Sequence, residues 1–301
     1  MLKVTNKFQL KNEEVKKRIT FEIPEAINGL PKLHWVEMII APTGIGKSNM
    51  AVNQVNEAVK QELYDWIILV STTGVLKPGA CVLQDTIWEE VKIDRREPAY
   101  SRDLFDSIRD DQDKRIEKYK EYEDYNKVYQ KYAKMKYEMT TEEVEALVAN
   151  DFMEPENPNP KNKERMPTQL LIFDDLGIIS EDKDLKNFIT QTRHSNTSWM
   201  CLIQSYTMIP KMMREQVNAL VFFELPEDRL KSIYETYVSA SDMSFKEFET
   251  LPDLLINSWD FIMILKKSAM TEKYRLGFSD CITTITMEEK IKKRLLSKPN
   301  V

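Results

Sequence analysis

Glycine is scarce in this chain, with seven residues in 301. A pattern that needs glycines at fixed spacing is therefore rarely met by chance, and any cluster of them is informative. Histidine and cysteine are scarcer still, at two and three, which leaves no credible zinc site. Cys81, Cys201 and Cys281 lack metal-ligand spacing, agree with a reducing compartment, and are read as packing residues. No apolar run approaches the roughly 20 residues that span a bilayer. The longest, WIILV and WDFIMIL, are strand-sized, so no membrane span is expected. The start, MLKVTNKFQLKNEEVKKRI, has no apolar stretch of the signal-peptide kind, so the chain is expected to stay where it is made. A formal net charge of −6 argues against a broad basic surface coating nucleic acid, so any contact with a polyanion must be local.

What is present is enough for a sizeable core. With 42% hydrophobic and 31% charged residues, the chain suits one large domain or one domain carrying an insertion. Trp35 to Ile40 reads as a buried strand. Lys47 to Leu63 carries a helical stripe at Ala51, Val52, Val55, Ala58, Val59 and Leu63, and Trp66 to Val70 is a second buried strand. Strand, helix, strand is the unit of a parallel α/β sheet. From Ser101 to Asp151 glycine and proline are absent and charged residues and tyrosine dominate, which predicts long helix. Tyr122, Tyr125, Tyr129 and Tyr132 fall on one seam of it. The proline-rich PENPNPKNK (Pro155 to Lys163) then stops any helix. LLIFDD, SWMCLIQ and ALVFFE resume the buried strands, with helix-like segments between them. WDFIMIL and KYRLGF look like a further strand pair, and EEKIKKRLL reads as a closing helix.

Two of the seven glycines lie in APTGIGKS, Ala41 to Ser48. A phosphate-binding loop needs glycines so that successive N–H groups turn inward, a lysine for the β and γ oxygens, and a hydroxyl for magnesium. Gly44, Gly46, Lys47 and Ser48 supply these, with strand before and helix after. The usual pattern opens with glycine, where Ala41 stands. The cofactor-binding stretch is Pro42, Thr43, Gly44, Ile45, Gly46, Lys47, Ser48 and Asn49. Kinases and plain nucleotide binders also carry such a loop, so a second site has to be found. QLLIFDDLG ends an apolar strand in Asp174 and Asp175, at the sheet edge where ligands of open α/β folds bind. Asp174 suits the Walker B role, holding magnesium with Ser48. Asp175 could orient or deprotonate the attacking water. The alternative for the pair is a turn and helix cap. By themselves these residues indicate Mg2+-dependent hydrolysis of a nucleoside triphosphate such as ATP.

A third constellation is TRHSNTSWMCLIQSYTMIP, Thr192 to Pro210. Gln204 ends its strand and could touch the γ-phosphate or its water, and Arg193 precedes it. The order of phosphate loop, DD strand, RH, Gln-ended strand, IPKMMR and VFFELP resembles the FtsK/HerA superfamily of pumping ATPases. Within that superfamily it resembles the poxvirus-type DNA-packaging ATPases of large DNA viruses, virophages and related elements. The likeness covers roughly residues 33 to 240. It implies an α/β P-loop NTPase of the RecA-like, additional-strand class, with a largely parallel central sheet flanked by helices. It further implies a homo-oligomeric ring, hexamer or pentamer, that threads double-stranded DNA into a preformed capsid through a capsid or portal vertex protein. The host-cell cytoplasm, a viral factory or the virion would be its location. The same resemblance implies a trans-acting arginine completing each site, for which Arg193 and Arg214 are the candidates. An ordinary helix-end or salt-bridge role is the alternative for either.

The expected organisation is an N-terminal extension (1–32), a first part of the NTPase core (33–98), a charged helical insertion with the Pro-rich loop (99–166), the second core part (167–285) and a basic C-terminal tail (286–301). The insertion departs from the compact family pattern, yet it can leave the site intact if its ends are close. The tyrosine seam fits packing in a helical hairpin or a contact with portal, capsid or DNA. The runs at Lys161–Arg165 and Lys290–Arg294 fit backbone phosphates or solvated surface. Two other functions remain open, a related motor moving protein or single-stranded DNA, as in secretion and conjugation, and a small-molecule kinase.

Overall fold

Strand β1 (Val36–Ile40) is buried along its whole length and hydrogen-bonds on both sides, which makes it the middle of the sheet. The computed structural model describes residues 30–71, 92–96, 102–134, 138–159, 163–174, 188, 192, 195–209, 211–238 and 242–296. Within them the elements run β1, α1 (Lys47–Lys60), β2 (Trp66–Ser71), β3 (Lys92–Arg96), α2 (Arg102–Ala133), α3 (Thr141–Ala149), β4 (Gln169–Asp174), β5 (Thr197–Ile203), α4 (Lys211–Gln216), β6 (Ala219–Phe222), α5 (Glu227–Tyr237), α6 (Phe245–Phe248), β7 (Ile262–Leu265), β8 (Tyr274–Leu276), β9 (Asp280–Cys281) and α7 (Ile285–Leu296). The sheet order is β3-β2-β4-β5-β1-β6-β7-β8-β9. From β3 to β6 every pairing is parallel, and β7, β8 and β9 add to one side antiparallel. β5 separates the loop strand β1 from the DD strand β4, which is the additional-strand arrangement of P-loop NTPases.

Strands β1, β2, β4, β5, β6 and β7 are apolar on successive residues because both faces are covered. On one face Ile39, Ile67, Leu69, Ile172, Met200, Leu202 and Val221 pack with Met50, Ala51, Val55 and Ala58 of α1. On the other Met38, Ile40, Val70, Phe173, Cys201 and Phe222 meet Phe105 and Ile108 of α2, Leu230, Ile233 and Tyr237 of α5, Phe248 of α6 and Met287 of α7. Helix α1 ends at Lys60, short of the sequence stripe. Glu62 takes a left-handed φ of 53° and turns Leu63 and Tyr64 into the core.

The first turns of α2 are therefore part of the core. Its buried residues Phe105, Ile108, Gln112, Ile116 and Tyr119 recur at helical spacing. Buried Gln112 donates through Nε2 to the Pro167 carbonyl at 2.9 Å and the Ser195 carbonyl at 3.1 Å, tying the helix to the entries of β4 and β5. Arg115 lies 4.5 Å over the Trp66 ring. Beyond Tyr119 the helix pairs with α3 as a hairpin. Tyr125, Tyr129, Tyr132 and Phe152 form a ladder of ring contacts, with centroids 6.4, 6.1 and 5.5 Å apart in succession. The Tyr125 hydroxyl donates to the Met153 carbonyl at 2.8 Å. The tyrosine seam thus packs a helical hairpin.

The basic run 161–165 is structural where it is described. Asp65, 1% exposed, accepts from the Arg165 guanidinium at 2.9 Å and the Thr168 amide at 2.9 Å, and pairs with Lys163 at 3.4 Å. This knot brings the end of the insertion to the foot of β2. In the second run, Lys290 bridges to Asp242 at 3.2 Å. Cys201 packs in the sheet as expected, but Cys281 is exposed on β9, the two-residue strand at the end of the sheet order. Cys81 lies outside the described residues. Strand β3 was not anticipated. Its sequence, KIDRR, has no apolar run because it is an edge strand, where charged residues discourage pairing with other chains.

Glu37 is fully buried in β1, with Gln54 Nε2 donating to its carboxylate at 2.7 Å. Burial pushes its pKa from an ordinary 4.5 to about 8, with the Gln54 hydrogen bond opposing. The fold therefore holds the protonated acid, and this contribution to stability is complete below pH 4.5 and declines as pH rises toward 8. Glu37→Gln should raise the melting temperature by several degrees at pH 8 and far less at pH 4.5, a difference that calorimetry at the two pH values measures. Asp65→Ala should cost about 3 kcal/mol in urea unfolding, since it leaves two cations around a buried site without their anion.

Candidate functional site

The site forms where β1 ends. The Ala41 amide donates to the Ile203 carbonyl at 3.1 Å and the Phe223 amide to the Ile40 carbonyl at 3.3 Å, so the chain stays in sheet register until it leaves for the loop. Gly44 then takes φ 87° and Gly46 φ 103°, conformations that cost a residue with a Cβ about 1–2 kcal/mol. They coil Pro42–Gly46 back over the start of α1. Gly46 is the residue flanking that helix, with no side-chain cap and no acidic residue in the first turn. A helix start left uncapped by its own side chains presents N–H groups and a partial positive charge, the setting for a phosphate. The residues present therefore fit a nucleotide's phosphates. The first intrahelical bond, from the Met50 amide to the Gly46 carbonyl at 2.9 Å, shows that the helix is fully wound from its first residue.

Lys47 and Ser48 are half-buried on the first turn, and Asn49 is exposed. Across the edge from them, Asp174 is the last residue of β4, paired in register with Leu202 on one side and Ser71 on the other. Gln204 follows directly after β5, exposed beside the Ala41–Ile203 junction. The carboxyl ends of β4, β5 and β1 thus bring Asp174, Gln204 and the loop to one edge, as the sequence predicts. Asp175 and Arg193 lie outside the described residues. Arg214, on α4, stacks its guanidinium 4.4 Å over the Tyr206 ring, and its carbonyl accepts from the Tyr237 hydroxyl at 2.7 Å. Among the described residues no cluster of three or more His, Cys, Asp or Glu could hold a metal. A cation here would rest on Ser48, Asp174 and the nucleotide's own oxygens, which is the usual economy of magnesium sites at phosphates.

One neighbour of the loop escaped the sequence reading. A Cβ at Gly46 would run into Cε3 of Trp259, so that indole lies against the loop backbone. In sequence Trp259 reads as the first residue of the strand WDFIMIL. The strand begins at Ile262, which leaves Trp259 in the preceding turn. Elsewhere, a cavity lined by Tyr122, Glu154, Pro155, Glu156, Asn157 and Glu164 lies by the insertion. Its three carboxylates make it unsuited to an anion.

Residues 115–247 match the family model described as Poxvirus A32 protein. The match takes in Asp174, Gln204 and Arg214 and leaves out the phosphate loop, so the loop is an independent observation. No curated protein matches. Among solved structures, the genome packaging NTPase B204 from Sulfolobus turreted icosahedral virus 2 with ATP-gammaS is 9% identical, with a TM-score of 0.49 over 83% of this chain and 98% of that one. The same protein with AMPPCP is 10% identical, with a TM-score of 0.48 over 82% and 98%. EssC (ATPases 2 and 3) from Geobacillus thermodenitrificans is 10% identical, with a TM-score of 0.43 over 88% of this chain and 43% of that one.

The two glycines should respond differently. At Gly44 an added Cβ meets nothing within 4 Å, whereas at Gly46 it meets the Trp259 ring. Gly44→Ala should therefore cost about 1–2 kcal/mol of stability from its positive φ alone. Gly46→Ala should cost more, and urea unfolding of the two variants side by side measures the difference.

Proposed function

We propose that this chain is an ATP-hydrolysing motor that moves double-stranded DNA into a viral capsid, working as a ring of identical subunits. The observation that carries the nucleotide part is the convergence of an uncapped helix start, a two-glycine loop, Asp174 and Gln204 on one sheet edge. The polymer part is supported by the match of residues 115–247 to the Poxvirus A32 protein family and by the RH-to-Gln block that falls inside it.

In this reading the backbone of Pro42–Asn49 cradles the phosphates, and Lys47 neutralises the β and γ oxygens. Ser48 and Asp174 would hold Mg2+, which when bound draws charge from the bridging and terminal oxygens. Asp175 orients the attacking water and accepts its proton, while Gln204 contacts the γ-phosphate or that water and registers its loss. An arginine from the adjacent subunit stabilises charge on the transferring phosphoryl group, which couples firing around the ring. Arg193 is favoured for that role over Arg214, whose guanidinium is already stacked on Tyr206. The capsid or portal vertex would anchor the ring.

ATPase turnover with and without long duplex DNA tests this reading. Duplex should stimulate the wild type, and Lys47→Ala should lower turnover roughly 10²-fold or more under both conditions. Stimulation by single-stranded DNA or by a polypeptide instead would transfer the motor to the secretion or conjugation class. Rings mixed from Arg193→Ala and Lys47→Ala subunits should recover part of the activity if Arg193 acts in trans, and verified mixed rings without recovery would remove it from the site.

A further inference from the structure

Trp259 is the exposed one among the described tryptophans. Trp35, Trp66 and Trp199 are 8% exposed or less, whereas Trp259 is 58% exposed while one part of its ring rests on Gly46. An indole held by one surface and open on another is a stacking platform.

Its mounting is rigid. Asp260 accepts from the backbone amides of Ile256 at 3.0 Å and Asn257 at 2.8 Å, and its own amide donates to the Asn257 carbonyl at 3.0 Å, which closes the turn that presents Trp259. The next residue, Phe261, is buried against Phe223 and Phe278, with centroids 5.7 and 5.0 Å away. Its carbonyl accepts from the Gly277 amide at 2.8 Å.

The topology says which end of a nucleotide this platform faces. β7 runs antiparallel to β6 and pairs Ile262 with Phe222, so the turn before β7 stands at the same carboxyl edge as the phosphate loop. From β1 outward, β5 and β4 lie on one side with Gln204 and Asp174, and β6 and β7 lie on the other with Trp259. The hydrolytic groups mark the side of the terminal phosphate. A triphosphate seated on the loop with its γ end toward β4 and β5 therefore sends its nucleoside toward β6 and β7.

We propose that Trp259 is the nucleobase platform of the site, its exposed indole stacking on the base of a purine nucleoside triphosphate whose phosphates occupy the 42–49 loop. This rests on the nucleotide reading of the loop given above. Stacking tolerates any base but strengthens with ring area, so Trp259 contributes a purine preference and leaves adenine and guanine alike.

Inorganic tripolyphosphate, which has the phosphates and no base, separates the platform from the cradle. Affinities of ATP, CTP and tripolyphosphate are measured by calorimetry for the wild type, Trp259→Ala, Trp259→Phe and Lys47→Ala, each with its melting temperature. Trp259→Ala should weaken ATP roughly tenfold, weaken CTP less and leave tripolyphosphate unchanged, whereas Trp259→Phe should stay within about threefold of the wild type for ATP. Wild-type indole emission should be quenched by ATP and not by tripolyphosphate, a readout that survives if Trp259→Ala does not fold. Equal weakening of ATP and tripolyphosphate would reduce Trp259 to a prop for Gly46 and overturn the proposal. So would a defect confined to self-association, which would make the indole a subunit contact. If the wild type binds tripolyphosphate but ATP no better, the platform fails and the cradle stands. If it binds neither, the nucleotide reading fails with it.

Discussion

Everything at the candidate site depends on β1 being held on both sides to its last residue. The Ala41 amide on the Ile203 carbonyl and the Phe223 amide on the Ile40 carbonyl fix the point at which the chain may leave the sheet. Past that point the two positive-φ glycines can coil it only into the space in front of α1. Were β1 an edge strand, one of those restraints would be missing and the loop would inherit the freedom of its flank. The same pairing sets where Gln204 emerges, since it follows directly on Ile203. The start of the loop and the position of Gln204 are two consequences of one register.

That central position has a cost that appears at Glu37. A carboxyl in the middle of a parallel sheet loses its water, and one hydrogen bond from Gln54 only partly offsets this, so the group is held neutral. Glu37 and Gln54 lie on the face of the sheet covered by α1 and thus join the loop strand to the loop helix. The insertion is secured at the other end of the strands, where Asp65 gathers Arg165, Lys163 and Thr168 and Gln112 spans to Pro167 and Ser195. These contacts tie α2 and the end of the insertion to the amino ends of β2, β4 and β5, opposite the edge that carries Asp174 and Gln204.

The parts of this arrangement that repeat in sequence were readable there. Buried parallel strands announce themselves as apolar runs, and β1, β2, β4, β5 and β6 all did. The loop was legible as a pattern because glycine, lysine and hydroxyl must follow one another to cradle a phosphate, and the positions of Asp174 and Gln204 at one edge were legible because the first ends β4 and the second follows β5. The edge strand β3 carries no such signal, since its sequence KIDRR is charged, as suits a strand with an unpaired edge that must not recruit another chain. The role of Phe105, Ile108 and Gln112 was hidden by the same charged composition that predicted a helix, because three core-facing residues scarcely alter a charged helix's average. Trp259 was hidden by being apolar. Beside FIMIL it reads as strand, and only the pairing of Ile262 with Phe222 puts it in the turn above Gly46.

The sheet edge is asymmetric about the loop, and the asymmetry bears on how subunits could cooperate in the proposed ring. Toward β6, the chain supplies its own neighbours to the loop, three antiparallel strands and the Trp259 turn. Toward β5 and β4 the described residues supply Gln204, which is exposed, and Asp174. A cation delivered by another subunit would have to reach the terminal phosphate, which in this seating lies on the second side. Arg214 is committed to Tyr206 within its own chain, and the stack would have to be given up before that guanidinium could serve another. Among the described residues, the sheet thus sets the Trp259 turn on one side of the loop and Gln204 and Asp174 on the other, and it is on the second side that the proposed ring would have to deliver its arginine.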